Sequence, residues 1–190
     1  LLIRNTKGLD YTIGRPSILV GDSKVVGIPP PMGFYLGIRA VQQAKKWLER
    51  KAGLPPLRPA LQLPGRSSGT LNLIPVDLAA RQFADLIKAD ARGCYHLVNE
   101  KPPTLQEVFA AVSQVMEADI QVVPELEPNP AERLLAILLR DMLPYLQGEP
   151  VFLNDNIRPL TTARCQGLGN DFIEATTRQF LKSRRRHDHV

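Results

Sequence analysis

The sequence predicts an α/β fold built on parallel strands, and three observations carry the prediction. Short apolar strand patterns alternate with amphipathic helix patterns along most of the chain, the order that builds a parallel sheet. The run Ile18, Leu19, Val20 is apolar on successive residues, which suits a strand buried on both faces. Of 190 residues, 44% are hydrophobic and 23% charged, so a sizeable core can form and wholesale disorder is excluded.

The elements follow in order. Residues 1–7 read as the last turns of a helix, with Lys7 in the final turn and Gly8 as its cap. So short a helix is marginal alone, so the chain is expected to be cut from a longer one, inside a helix. Residues 10–14 and 18–20 read as strands. Residues 27–33, with Pro29, Pro30 and Pro31, read as loop or polyproline. Phe34, Ile38, Val41 and Leu48 sit at near-helical spacing in 34–51, and Lys45, Lys46, Arg50 and Lys51 suit the C-terminal end of that helix. Gly53, Pro55 and Pro56 stop it. Residues 53–70 also hold Pro59, Pro64, Gly65 and Gly69, and read as one long loop, either a lid or a disordered segment.

Residues 71–74 form a short strand pattern, and Asp77 is placed to cap a helix that turns Ala79, Phe83, Leu86 and Ile87 inward. Residues 94–98 are a strand pattern. Thr104 and Glu107 make a capping box ahead of the cleanest amphipathic helix, with Leu105, Val108, Phe109, Val112, Val115 and Met116 on one face. Residues 120–123 are a strand pattern. Asn129 and Pro130 start a helix whose apolar residues, Leu134 to Leu143, cover more than one stripe, so it must be buried on two sides or meet a ligand or partner. Residues 151–160 read as extended or irregular. Asn170 or Asp171 caps a last helix with Ile173, Phe180 and Leu181 inward, and residues 183–190 read as a frayed charged tail.

Several chemistries find no support in the sequence. The only G-x-G, Gly167 and Gly169, has Phe172 where a third glycine belongs, and no P-loop pattern exists. Cys94 and His96 share one side of a strand, but no ligand cluster has zinc spacing, so no metal is expected. His96 is the only histidine outside the tail, which leaves no triad. No Tyr-x-x-x-Lys occurs. Arg184, Arg185 and Arg186 supply three units of the net charge of +5, so nucleic acid is not the expected partner. No stretch approaches the ~18 apolar residues of a membrane span. The start of the chain lacks a signal-peptide pattern, so a cytoplasmic protein with two free thiols, Cys94 and Cys165, is expected.

Residues 11–24, YTIGRPSILVGDSK, resemble the strand after the catalytic helix in extended short-chain dehydrogenases/reductases, in the thioester reductase and fatty-acyl reductase branch. Two later pieces agree in order: residues 73–79, LIPVDLA, resemble that family's Pro-Val-Asp helix start, and residues 93–98 with 104–108 resemble the strand and helix that follow. The resemblance covers about residues 1–116 and is looser through 160. It implies a partial Rossmann-type parallel sheet plus a smaller, mostly helical substrate-binding region. On this view residues 1–183 are the C-terminal, substrate-binding half and 184–190 a basic tail.

The same resemblance implies that complete relatives use NADP or NAD and move hydride from the reduced nicotinamide cofactor to a carbonyl or thioester. It places Pro16, Ser17 and Ile18 beside the nicotinamide, mostly through backbone groups, and Gly21, Asp22, Phe34 and Tyr35 along the substrate. Asp77 would only cap its helix. The cofactor loop and the Tyr/Lys dyad are missing from this sequence, so the chain alone is expected to be inactive. Its expected partners are an acyl-thioester or other apolar carbonyl substrate, an upstream nucleotide-binding half, and a homodimer that would rebuild the sheet. Read from residues alone, alternatives stay open. Arg15 and Pro16 end a strand, Asp22 and Ser23 make a turn, and Phe34 and Tyr35 are core. The competing function is a non-enzymatic interaction module using the 134–143 helix.

Overall fold

The computed structural model describes residues 10–24, 33–52, 60–125, 133, 137–140, 143–147 and 151–187. The helix end expected in 1–7, the prolines of 29–31, the start at Asn129 and Pro130, and Leu134, Leu135 and Met142 lie outside them.

Six strands and five helices stand among the described residues. They run β1 (Thr12–Pro16), β2 (Ile18–Val20), α1 (Phe34–Ala52), β3 (Ala60–Pro64), β4 (Leu73–Pro75), α2 (Val76–Lys88), β5 (Gly93–Leu97), α3 (Leu105–Met116), β6 (Asp119–Val123), α4 (Leu143–Gln147) and α5 (Asn170–His187). The class is α/β. Every strand pair is parallel: β1 with β5, β2 with β4, and β3 with β6.

β1 and β2 form one extended run that changes partner at Ser17. The Ser17 amide donates to the Leu97 carbonyl at 3.0 Å, and the next amide, Ile18, donates to the Asn72 carbonyl at 3.2 Å. Amides of neighbouring residues in an extended chain face opposite ways, so β5 flanks one edge and β4 the other. Among the described residues, β1 and β2 each keep one unpaired edge. This corrects the expectation that Ile18 to Val20 are buried on both faces. Val20 enters the core at 3% exposure, whereas Leu19, pointing the other way, is 42% exposed because no described element covers that side.

The main core lies between α1, α3, α5 and the β3–β6 pair. Tyr35, Ile38, Leu61, Leu63, Leu105, Val108 and Ile173 are almost inaccessible there. Each such side chain contributes roughly 1.5–3 kcal/mol relative to an exposed one. A smaller core of Leu86, Ala91, Tyr95, Leu97 and Ile157 sits between α2 and β5. α3 starts on the predicted capping box: the Glu107 amide donates to Thr104 Oγ1 at 3.2 Å, and the Thr104 amide donates to the Glu107 carboxylate at 2.7 Å. At its other end Glu117 is left-handed (φ 50°), and Lys45 Nζ donates to the Met116 carbonyl at 2.6 Å, a cation on exposed helix-end carbonyls.

Other expectations need correction. The long loop of 53–70 contains β3, because Leu61 and Leu63 alternate into the core and Pro64 falls only at the strand's end. Asp77 does not cap α2; Pro75 holds that position without a side-chain bond, and Asp77 lies in the first turn. α2 buries Ala79, Gln82 and Leu86, while Phe83 and Ile87 are 37% and 62% exposed. Inside, the Gln82 Nε2 donates to the Ala163 carbonyl at 2.8 Å, while its Oε1 has no partner among the described residues. α5 begins at Asn170, with the Gly169 carbonyl accepting from Phe172 and Ile173, and it continues to His187, so residues 183–187 are helical.

Candidate functional site

A cleft of about 440 Å³ opens at the carboxyl ends of β1 and β5, where the extended run changes partner. Pro16, Ser17, Ile18 and Leu71 form its inner wall, and Arg15, His96, Tyr145 and Phe152 stand around it. Its floor is fixed by a reciprocal amide pair. Asn72 Nδ2 donates to the Asn99 carbonyl at 2.9 Å, and the Asn99 amide donates to Asn72 Oδ1 at 2.9 Å. These two residues, 27 apart in sequence, tie the start of β4 to the exit of β5. The Ser17 hydroxyl oxygen is buried and has no hydrogen-bond partner among the described residues.

His96 reaches the cleft from β5. Its Nδ1 lies 3.0 Å from the Leu153 carbonyl, which can only accept, so Nδ1 carries the proton and Nε2 is the nitrogen left for other contacts. Phe152 meets the imidazole edge-on with centroids 5.7 Å apart. Arg15 and His96 are register partners on neighbouring strands, so their side chains leave the same face.

The other predicted residues sit apart from this cleft. Tyr35 is 1% exposed; its hydroxyl accepts from the Gly21 amide at 2.8 Å and shares a 2.6 Å bond with Thr176. Burial pushes this phenol's pKa up, against the opposing pull of the Thr176 and Gly21 bonds. A Cβ on Gly21 would meet Thr176 Oγ1 at 3.1 Å, so this approach is close. Asp22 accepts from the Lys24 amide at 2.8 Å, a local turn. Phe34 packs with Ile38, Leu71 and Phe109 around a small apolar hollow of about 20 Å³. Thus Pro16, Ser17 and Ile18 are brought together in the cleft, and Gly21 and Tyr35 are joined to each other.

Asp77 has a role that local sequence did not signal. The amide and hydroxyl of Ser23, 54 residues away, donate to its carboxylate at 2.8 and 2.6 Å. Desolvation raises its pKa, but the bonds from Ser23 and from nearby backbone amides outweigh it, so the carboxyl titrates below its ordinary range. A wider groove of about 770 Å³ runs along α3 and β6, but Gln106, Gln114, Gln121 and Ser113 line it and no cation does. Among the described residues, no three His, Cys, Asp or Glu side chains gather closely enough to hold a metal ion.

No family model and no curated protein matches the chain. Solved structures do. The terminal R domain from the myxalamid PKS-NRPS biosynthetic pathway superimposes with a TM-score of 0.58 at 16% identity, over 97% of this chain and 46% of that one. DesIV, a dTDP-glucose 4,6-dehydratase from Streptomyces venezuelae with NAD and TYD bound, gives 0.57 at 16% identity, over 97% and 48%. RMD from Pseudomonas aeruginosa complexed with NADPH gives 0.54 at 11% identity, over 94% and 50%. These three are extended short-chain dehydrogenases/reductases, and the chain shares the fold of one part of each. At these identities the likeness is one of fold, and the chain spans about half the length of each of these reductase-fold structures.

Proposed function

We propose that this chain is the substrate-binding portion of an NAD(P)-dependent oxidoreductase that acts on a carbonyl or acyl-thioester substrate. One observation carries the reading: the cleft lies at the carboxyl ends of two parallel strands, where a strand changes partner, which is where open α/β sheets take their ligands. The residues present fit the nicotinamide end of the cofactor. Pro16 and Ile18 offer apolar surface, and the buried Ser17 hydroxyl lacks a partner that a carboxamide could supply. They do not fit its phosphates, since no glycine-rich phosphate loop is present. A bound nicotinamide would supply hydride. The residues of this chain would position the acceptor, exclude water with Leu71 and Phe152, and leave proton donation to a dyad this sequence lacks.

The edge of β1 left unpaired among the described residues, with the exposed Leu19, Phe83 and Ile87, supports a partner that completes the sheet, an upstream nucleotide-binding half or a second copy. Among the described residues, no helix is long and apolar enough to cross a membrane; a cytoplasmic location is part of the proposal. A second reading, an interaction module, is favoured by Ile137 and Leu138 at 67% and 41% exposure. Aspartates at both positions would abolish any self- or partner association it mediates.

The test is an amide-resolved NMR titration of this polypeptide with NADP+ and NAD+, paired with an NADPH oxidation assay on octanoyl-coenzyme A. Weak binding with shifts centred on Ser17, Ile18 and Leu71, without turnover, is expected. Silence at those amides removes the cleft from consideration, and robust turnover overturns the division of labour.

A further inference from the structure

The cleft has a charge pattern that a purely apolar substrate does not explain. Among the described residues, no carboxylate lines it. Arg15 stands exposed beside it and has no ion-pair partner among the described residues. His96, its register partner on β5, has Nδ1–H committed to the Leu153 carbonyl, so Nε2 is the ring nitrogen that a ligand would meet. Beyond Arg15 and His96 the walls turn apolar, with Ile18, Leu71 and Phe152.

We propose that the cleft takes a ligand with an oxyanion head and an apolar body, the head held by Arg15 and His96. The guanidinium is a rigid planar fork matched to carboxylate and phosphate oxygens. The imidazole is held in one orientation by Leu153 on one side and Phe152 on the other, so the pair is set before any ligand arrives. Among the described residues, no acidic side chain in the cleft competes for the guanidinium. The inference deepens the function proposed above and rests on it only in taking this cleft as the ligand site; the oxyanion belongs either to the substrate or to the cofactor.

The experiment compares octyl phosphate, octanamide and inorganic phosphate as ligands of the whole chain by calorimetry and NMR. Octyl phosphate is expected to bind more tightly than octanamide, which has the same tail and no charge, and more tightly than inorganic phosphate, which has no tail. R15Q is expected to weaken octyl phosphate by about tenfold to a hundredfold, the range for a lost bond to a charged group, and to leave octanamide unchanged. H96Q has the same sign and a smaller size. Equal affinity of the wild-type chain for octyl phosphate and octanamide overturns the proposal without recourse to any variant. So does an R15Q protein that keeps its octyl phosphate affinity. The source follows from NADP+: if R15Q weakens it in parallel the oxyanion is the cofactor's, and if its shifts at Ser17 and Ile18 persist the oxyanion is the substrate's. Both results uphold the pair. NADP+ shifts at Ser17 and Ile18 without headgroup discrimination sink this inference and spare the functional reading.

Discussion

The two cores of this molecule are built to different standards. Around α3, apolar residues are closed in from several sides: Leu105, Val108 and Ile173 are 0% exposed, and α5 packs along α3 as the last described helix. Around α2 and β1, apolar residues are covered on one side only. Leu86 is 0% exposed while Ile87, its neighbour, is 62% exposed, and Leu19 stands open beside the unpaired edge of β2. Among the described residues, one region closes over its apolar side chains and the other leaves several of them open. The cleft lies on the open side, at the carboxyl ends of β1 and β5.

The largest expected effect comes from the closed region. Val108→Ala or Ile173→Ala should cost about 2–5 kcal/mol of unfolding free energy in urea melts, through lost burial and the cavity left behind. Next is Tyr35→Phe, which strips the Gly21 amide of its acceptor and Thr176 of its partner in a sealed setting. A loss of about 1–3 kcal/mol is expected. Thr104→Ala should cost about 1 kcal/mol, and Thr104→Ser should recover most of it, since the hydroxyl alone makes the cap.

A smaller effect follows pH. Because Asp77 titrates below its ordinary range when folded, its contribution is present above the unfolded carboxylate pKa and is lost as pH falls through the lower folded value. Asp77→Asn should remove that acid-side slope, read from melts across the acid range. The smallest effect is in the open region. Ile87→Ala should change the stability of this chain by less than about 0.5 kcal/mol. If it costs as much as Val108→Ala, the contrast between the regions is wrong.

What could be read in advance divides along the same line as contact distance. The capping box needed only residues 104–107 and was found as expected, as were the register of apolar residues in α3 and the α/β alternation. β3 was missed because Pro59 and Pro64 bracket it, and that proline density outweighed the Leu61 and Leu63 alternation. The inward face of α2 was misjudged because hydrophobicity ranks Phe83 above Gln82, whereas the Ala163 carbonyl, 81 residues on, decides which is buried. Phe83 instead lies over Gly14, where a Cβ would approach its ring to 2.5 Å. Of the candidate site, Pro16, Ser17 and Ile18 came from a motif in one short stretch. The Asn72–Asn99 pair, the Ser23–Asp77 tie and the Tyr35–Thr176 bond, the last spanning 141 residues, depend on the completed fold and leave no local signature.

The hand-over at Ser17 reaches beyond the cleft it borders. The last bond to β5 and the first bond to β4 come from consecutive amides, Ser17 and Ile18, so the two ladders have no slack between them. Adding one residue there would turn either Ile18 or Pro16 to the opposite face. Any tug on β5, whether from a newly docked neighbour or from a ligand pressing on His96, would therefore be felt by β4 and the head of α2 as a shift in alignment. In that sense the point where the chain changes partner is also the mechanical coupling between the two ladders.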